Sequence, residues 1–315
     1  MSSGATPAIA VERLSKTFRL GVRLKKVEAV RDITFAAPAG HVFGFLGPNG
    51  AGKTTTIKMC MGLIRPSAGT VRVLGEPIAS LAVRARIGYL PEQPYFYDYL
   101  KPHEILDFYA RLFGMDRAAR RRRVGELLEL VGLADARERT LRKFSKGMLQ
   151  RVGIAQALIN DPELVVLDEP LSGLDPIGRK EIRDIIVDLR RRGKTVFFSS
   201  HILADIEMIC DEVAIINKGV IQAAGRLSDL LNPRLMTAEV TWRRGDADLP
   251  QRVETFGAKV DDLGALWRAV VEAPRSTELL RLLLDGGAEV DGVVPKRDSL
   301  EDLFMREALK TGGEP

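Results

Sequence analysis

The stretch Gly47-Pro48-Asn49-Gly50-Ala51-Gly52-Lys53-Thr54 follows the apolar run His41 to Leu46 and leads into a helical run from Thr55 to Leu63. It fits G-x-x-x-x-G-K-[ST] at every fixed position, and it lies where that pattern has meaning, between a strand and a helix. Its glycines let the backbone take positive φ and approach a ligand closely. Successive N–H groups and the helix N-terminus can then surround phosphate oxygens. Lys53 is placed to neutralise β and γ phosphates, and the Thr54 hydroxyl to meet Mg²⁺ bridging them. The phosphate-binding candidates therefore run from Gly47 through Pro48, Asn49, Gly50, Ala51, Gly52, Lys53 and Thr54 to Thr55.

Outward from this loop, β-rich runs recur between helical stretches at Ile87 to Leu90, Leu164 to Leu167, Thr195 to Ser200 and Val213 to Asn217. That alternation predicts an α/β fold, a phosphate-loop cassette with a mostly parallel sheet. Ile9 to Leu14 and Val27 to Phe35 read as an antiparallel β flap, and a helical insert is expected at about residues 100–160. The apolar run Leu164-Val165-Val166-Leu167 ends in Asp168-Glu169-Pro170, which brings two carboxylates to the sheet edge where ligands of open α/β sheets bind. Asp168 can hold Mg²⁺, while Glu169 can accept a proton from the water that attacks a γ-phosphate.

These motifs resemble those of the nucleotide-binding subunits of ATP-binding cassette (ABC) transporters, and they stand in that family's order. After the phosphate loop come Gln93 in Pro91-Glu92-Gln93, Phe144-Ser145-Lys146-Gly147-Met148 at the signature position, the strand ending in Asp168 and Glu169, Ser172-Gly173-Leu174-Asp175, and His201. The resemblance covers roughly residues 8 to 225. It implies ATP and Mg²⁺ as ligands, Gln93 reaching the metal and the attacking water, His201 donating to the γ-phosphate, and Phe18 stacking on adenine. It also implies that Ser145, Gly147 and Asp175 serve the nucleotide of an opposite subunit, either a second copy or a homologous ATPase. The signature departs from the common Leu-Ser-Gly-Gly-Gln at Lys146 and Met148. This variant and the ending Ser299 to Phe304 resemble a group that energises export permeases made as separate chains.

The remaining features bound the reading. The chain has 315 residues with 47 Lys and Arg against 42 Asp and Glu, a net charge of +5. At roughly 150 residues per domain this suggests about two domains. The charge is unevenly spread, with 34 basic and 25 acidic residues up to Gly225 and 13 basic and 17 acidic beyond it. A boundary is therefore expected near 225, with an ATP-binding domain over 1–225 and a small α+β accessory domain over 226–315. In the latter, strands are predicted at Ala238 to Trp242 and Leu266 to Val271, and helices at Thr277 to Leu284 and Leu300 to Leu309.

No apolar stretch approaches the ~20 residues of a membrane span. With no secretory leader pattern, the chain is expected to be cytoplasmic, peripheral on the membrane through a permease. The two cysteines, Cys60 and Cys210, lack metal spacing and read as core thiols. All five tyrosines fall between Tyr89 and Tyr109, with Phe96 and Phe108 among them. Core and docking surface are both open to such a cluster, and its place beside Gln93 favours permease docking near Gln93 to Tyr99. The run Arg120 to Arg123 reads as a solvated helix face, so no nucleic acid is expected.

Overall fold

A computed structural model describes residues 6–20, 25–231, 237–296 and 300. By Cα proximity the chain divides into two compact units, Met1–Leu227 and Ser228–Pro315.

The first unit holds two sheets. The antiparallel one has the order β2-β1-β4-β5 and comprises β1 (Ile9–Leu20), β2 (Lys25–Ala37), β4 (Ala68–Val73) and β5 (Glu76–Pro77). The other is six-stranded. It contains β3 (Val42–Leu46), β6 (Ile87–Leu90), β7 (Leu164–Leu167), β8 (Thr195–Ser200), β9 (Glu212–Asn217) and β10 (Val220–Arg226), in the order β10-β9-β3-β8-β7-β6. All neighbours in it are parallel except the β9–β10 hairpin. Strands β3, β7 and β8 are buried at every position, which explains why they read as continuous apolar runs rather than alternating ones. Phe35 of β2 stacks on Phe43, Phe45 and Phe197 at centroid separations of 5.9, 5.3 and 6.2 Å, joining the antiparallel sheet to the parallel one in a single core.

Helix α1 (Lys53–Cys60) begins two residues before the sequence-based expectation and stops at Cys60, ahead of Gly62 in the left-handed region at φ 66°. A four-residue helix α2 (Leu81–Arg84) precedes β6. Between β6 and β7 lie α3 (Pro102–Leu112), α4 (Arg117–Leu130) and α5 (Lys146–Ala157). Pro102 starts α3, and Asp116 caps α4 by accepting from Ala119 N at 2.9 Å. The arginine run on α4 is only partly solvated. Arg120 donates to Asp107 and to Met115 O, and Arg123 donates to Leu158 O, while Arg121 and Arg122 are exposed. Helix α6 (Pro176–Arg191) buries Ile182, Ile185, Ile186 and Leu189, the spacing of a single apolar stripe. Helix α7 (Leu203–Ile209) follows β8, and α8 (Leu227–Leu230) follows β10.

The second unit runs β11 (Thr237–Arg243), α9 (Leu249–Thr255), β12 (Lys259–Asp262), β13 (Trp267–Glu272), α10 (Ser276–Asp285), β14 (Glu289–Lys296). Its antiparallel sheet has the order β12-β13-β11-β14, which makes the βαββαβ path ferredoxin-like. Ala238, Val240 and Trp242 alternate into a core with Leu249, Val253, Leu279 and Leu283, and Trp242 stacks on Trp267 at 6.4 Å. The helix predicted at Leu300 to Leu309 lies outside the described residues apart from Leu300, which is buried.

Candidate nucleotide site

The loop after β3 turns sharply because two of its glycines stand where no side chain fits. A Cβ on Gly47 would lie 2.2 Å from Ile216 O, and one on Gly52, at φ 109°, would lie 2.6 Å from Ala29 O. Gly52 is also the residue that caps α1, so Lys53, Thr54 and Thr55 form the helix's first turn with their N–H groups unpaired in the helix. A cleft of about 270 Å³ opens here, lined by Ala29, Asn49, Gly50, Gly52, Lys53, Thr54, Thr55, Glu92 and Glu169. Lys53 is buried, and its Nζ donates to Gly47 O at 2.6 Å and Pro48 O at 3.1 Å. The same ammonium forms an ion pair with Glu169 Oε1 at 3.0 Å.

The two carboxylates occupy different environments although they are adjacent. Asp168 continues β7, its N–H donating to Leu90 O at 2.9 Å, and it is fully buried. Its Oδ1 accepts from Ser199 Oγ at 2.7 Å and from Thr54 Oγ1 at 3.3 Å. Burial pushes the Asp168 carboxyl above its usual range. Bonds from Ser199 and Thr54 pull it back, and the charges of Glu92 and Glu169 add to the upward push. Glu169 adopts φ 50°, a left-handed conformation that costs a non-glycine residue energy. Its N–H donates to Ser199 Oγ at 2.9 Å, and its Oε2 lies 2.8 Å from His201 Nδ1. Ser199 thus holds both acids, one through its proton and the other through its lone pair.

These residues fit a magnesium ion. Asp168 Oδ2 is buried with no hydrogen-bond partner, and the Thr54 hydroxyl stands on the same carboxylate. Among the described residues no three His, Cys, Asp or Glu converge as a ready-made metal site. Such an ion would be held by Asp168 and Thr54 together with phosphate oxygens and water, as is usual for Mg²⁺.

The structure brings Gly50, Gly52, Lys53, Thr54, Thr55, Asn49, Asp168, Glu169 and His201 together. It does not bring Gln93 with them. Gln93 is exposed and absent from the cleft lining, where its neighbour Glu92 stands instead. Leu90 pairs with Leu167, so the chain leaves β6 level with Asp168, and Glu92 and Gln93 follow in a bend beyond the strand. Phe18, half-buried on β1 opposite Val27 with Lys16 Nζ 5.1 Å from its ring centroid, is likewise not in the lining. Ser145 and Asp175 sit away from the cleft as N-caps, Ser145 accepting from Met148 N at 3.2 Å and Asp175 from Gly178 N at 2.7 Å. Gly147 lies in the first turn that Ser145 caps. Lys146 lies over Gly173, which has φ 68° and whose absent Cβ would fall 2.4 Å from Lys146 Nζ. The sequence reading overlooked Glu92 and Ser199. For Glu92 the signal was its adjacency to Gln93, and for Ser199 its position one strand over from Asp168.

The ABC transporter family model matches residues 30–172. An uncharacterized ABC transporter ATP-binding protein of Nostoc sp. is 42% identical over 97% of this chain and 91% of its own length. Nod factor export ATP-binding protein I of Ralstonia nicotianae is 36% identical, over 81% of this chain and 80% of its own. A solved structure described as the ATP binding subunit of an ABC transporter superposes with a TM-score of 0.61 at 32% identity, covering 71% of this chain and 91% of that one. The chain belongs to the ATP-binding proteins of ABC transporters, and the residues matched by the family model lie within its first unit.

Proposed function

We propose that this chain hydrolyses Mg-ATP as one half of a dimer and energises a separate membrane permease, working as an exporter. The observation that carries the chemistry is Glu169, buried at the end of β7 and held by Lys53, Ser199 and His201 at the mouth of the phosphate loop. A water on the γ-phosphate side gives its proton to Glu169 as its oxygen bonds to phosphorus. The bond to the β-phosphate oxygen breaks, and ADP and phosphate result. Lys53 balances charge on the β and γ phosphates, and His201, carrying both ring protons, holds Glu169 through Nδ1–H and offers Nε2–H to the γ-phosphate. Bound Mg²⁺ would neutralise the phosphate charge that grows during the transfer.

The dimer is supported by what the cleft lacks from its own chain. Ser145, Gly147 and Asp175 carry motif positions of the family yet stand away from the phosphate loop, which suits service to a second copy across a two-fold axis. Permease docking is supported by exposed aromatics just beyond Glu92. Tyr95, Tyr97 and Tyr99 are 87%, 61% and 67% exposed, and Phe108 is 55% exposed. No helix among the described residues is long and apolar enough to cross a membrane, so the pore falls to another chain, with this one at the cytoplasmic face. The export direction rests on the signature variant and on the relative named for Nod factor export.

The test is to purify a tagged Glu169→Gln chain from its own cells in mild detergent with ATP and Mg²⁺, and to identify what accompanies it. A multi-spanning membrane protein at about equal stoichiometry is expected. Ribosomes or nucleic acid in its place would overturn the transport reading while leaving the cassette chemistry intact.

A further inference from the structure

The arginine run of α4 divides by what each guanidinium meets. Arg120 and Arg123 are tied inside the first unit, to Asp107, Met115 O and Leu158 O. Arg117 and Arg121 stand one turn apart on the same side of the helix, and among the described residues neither has a hydrogen bond or an ion pair. Both line a cavity of about 450 Å³ between α3 and α4, together with Arg111, Arg120 and Arg137. Five guanidiniums there meet two carboxylates, and both acids are already engaged. Asp107 accepts from Arg111 and from Arg120 at 2.7 Å each, and Glu104 accepts from Lys101 N at 2.8 Å where α3 begins. The cavity therefore keeps an excess of positive charge. Its wall also carries Phe108, an exposed ring, and Leu112 is exposed one turn further along α3.

We propose that the groove between α3 and α4 binds the phosphate headgroup of an anionic phospholipid, with Arg117 and Arg121 on the phosphate oxygens and Phe108 and Leu112 against the apolar part of the same molecule. A guanidinium presents a planar fork of donors that matches phosphate oxygens, and a pair of them with no acid of their own is a receptor for that group. The exposed apolar side chains choose among anions. Free phosphate or an acidic peptide satisfies the arginines and leaves Phe108 and Leu112 in water, whereas a phospholipid covers both kinds of surface at once. Basic and apolar side chains side by side are what holds a protein in the headgroup region of an anionic membrane. This contact belongs to the chain itself and needs no permease, so it goes beyond the reading above. Tyr95, Tyr97 and Tyr99 keep the docking role given there, and Phe108 marks the edge at which lipid takes over.

The test is flotation of the full chain with vesicles of phosphatidylcholine alone and of phosphatidylcholine with an equal part of phosphatidylglycerol. The wild type is expected to float with the second and not with the first. Arg117→Gln and Arg121→Gln together should weaken that association roughly tenfold or more, with the urea midpoint unchanged because neither side chain is paired in the fold. Phe108→Ser should weaken it as well. Removing the same charge elsewhere, with Arg19→Gln and Arg65→Gln on the exposed surface outside the helical insert, should leave it intact. Equal flotation with both vesicles, or with neither, overturns the proposal. So does a loss as large in the Arg19 and Arg65 variant as in the Arg117 and Arg121 variant, which would reduce the effect to net charge. Displacement by inorganic phosphate at constant ionic strength with Phe108→Ser unaffected would assign the groove to a free anion, and capture by polyglutamate without flotation would assign it to an acidic peptide. Either result overturns the lipid site. The vesicles contain no permease, so every outcome leaves the permease reading to its own test.

Discussion

His201 Nδ1 lies 2.8 Å from Oε2 of Glu169, so the residue after β8 and the second residue after β7 act as one unit at the sheet edge. The imidazole orients the carboxylate through Nδ1. Replacing it, His201→Ala, is expected to cut ATP turnover by roughly 10²–10³ while nucleotide binding persists, because a preorganised donor is lost and the phosphate loop is untouched. Steady-state hydrolysis beside equilibrium binding checks this, and equal losses in both would show that His201 is structural.

Ser199→Ala removes the acceptor for Glu169 N–H and the donor to Asp168 in a fully buried position. The expected destabilisation is about 1–3 kcal/mol, the cost of leaving a buried polar group unmet. Turnover should fall as well, since the left-handed backbone at Glu169 loses a bond that holds it. Urea unfolding and phosphate release measure the two effects separately.

Gly52→Ala places a methyl 2.6 Å from Ala29 O in a backbone with φ 109°. Left-handed strain costs roughly 1–2 kcal/mol, and about 1.4 kcal/mol of it moved into the ligand-bound form weakens binding tenfold. Mg-ATP affinity is therefore expected to drop at least about tenfold, read by a fluorescent analogue. Gly50→Ala is the comparison, since Gly50 is also left-handed at φ 80° but a Cβ there meets open space, which keeps the strain and removes the clash.

Acid should destabilise the chain through its paired carboxylates. Asp161 is held below its ordinary 3.8 by a bond from Lys194, Asp116 by the backbone N–H groups of Ala119 and Ala118. Asp107, despite the upward push of its burial, is drawn down by Arg120 and Arg111. With folded values depressed, these groups contribute stability above 3.8, and the unfolded chain binds more protons as pH falls through that value. The urea midpoint should decline on acidification in this window, and Asp107→Asn, which removes the α3–α4 ion pair, should flatten the decline.

The two thiols should resist alkylation in the native state. Burial pushes Cys60 up to about 12, and Cys210 rises well above 9.0 for the same reason, aided by the charge of Asp211. Only the thiolate attacks alkylating reagents. Mass spectrometry after iodoacetamide at mildly alkaline pH should show labelling at the rate of unfolding, and rapid labelling of Cys60 would contradict its burial.

Much of the site was legible along the chain because its parts are local. The phosphate loop needs only the strand before it, the glycines within it and the helix after it, all inside Val42–Cys60. The strand carrying Asp168 and Glu169 announced itself as a continuous apolar run, since a central parallel strand is buried on both faces. The β-α alternation likewise carried the parallel sheet and the helical insert. The ferredoxin-like order of the second unit did not show, because strand order there depends on which edges pair across the turns.

What the amino-acid sequence alone determined is the chemistry on offer: a phosphate loop with its lysine and threonine, a paired carboxylate after an apolar strand, and a histidine after another. Tertiary structure alone decided which side chains meet. Glu92 rather than Gln93 enters the cleft, Ser199 joins two acids some thirty residues away, and Ser145 and Asp175 turn to cap helices. The physical reason is that these meetings are between distant parts of the chain: Ser199 reaches both acids only because β8 pairs beside β7, and the bend after β6 comes to the cleft only because β6 pairs on the other side of β7.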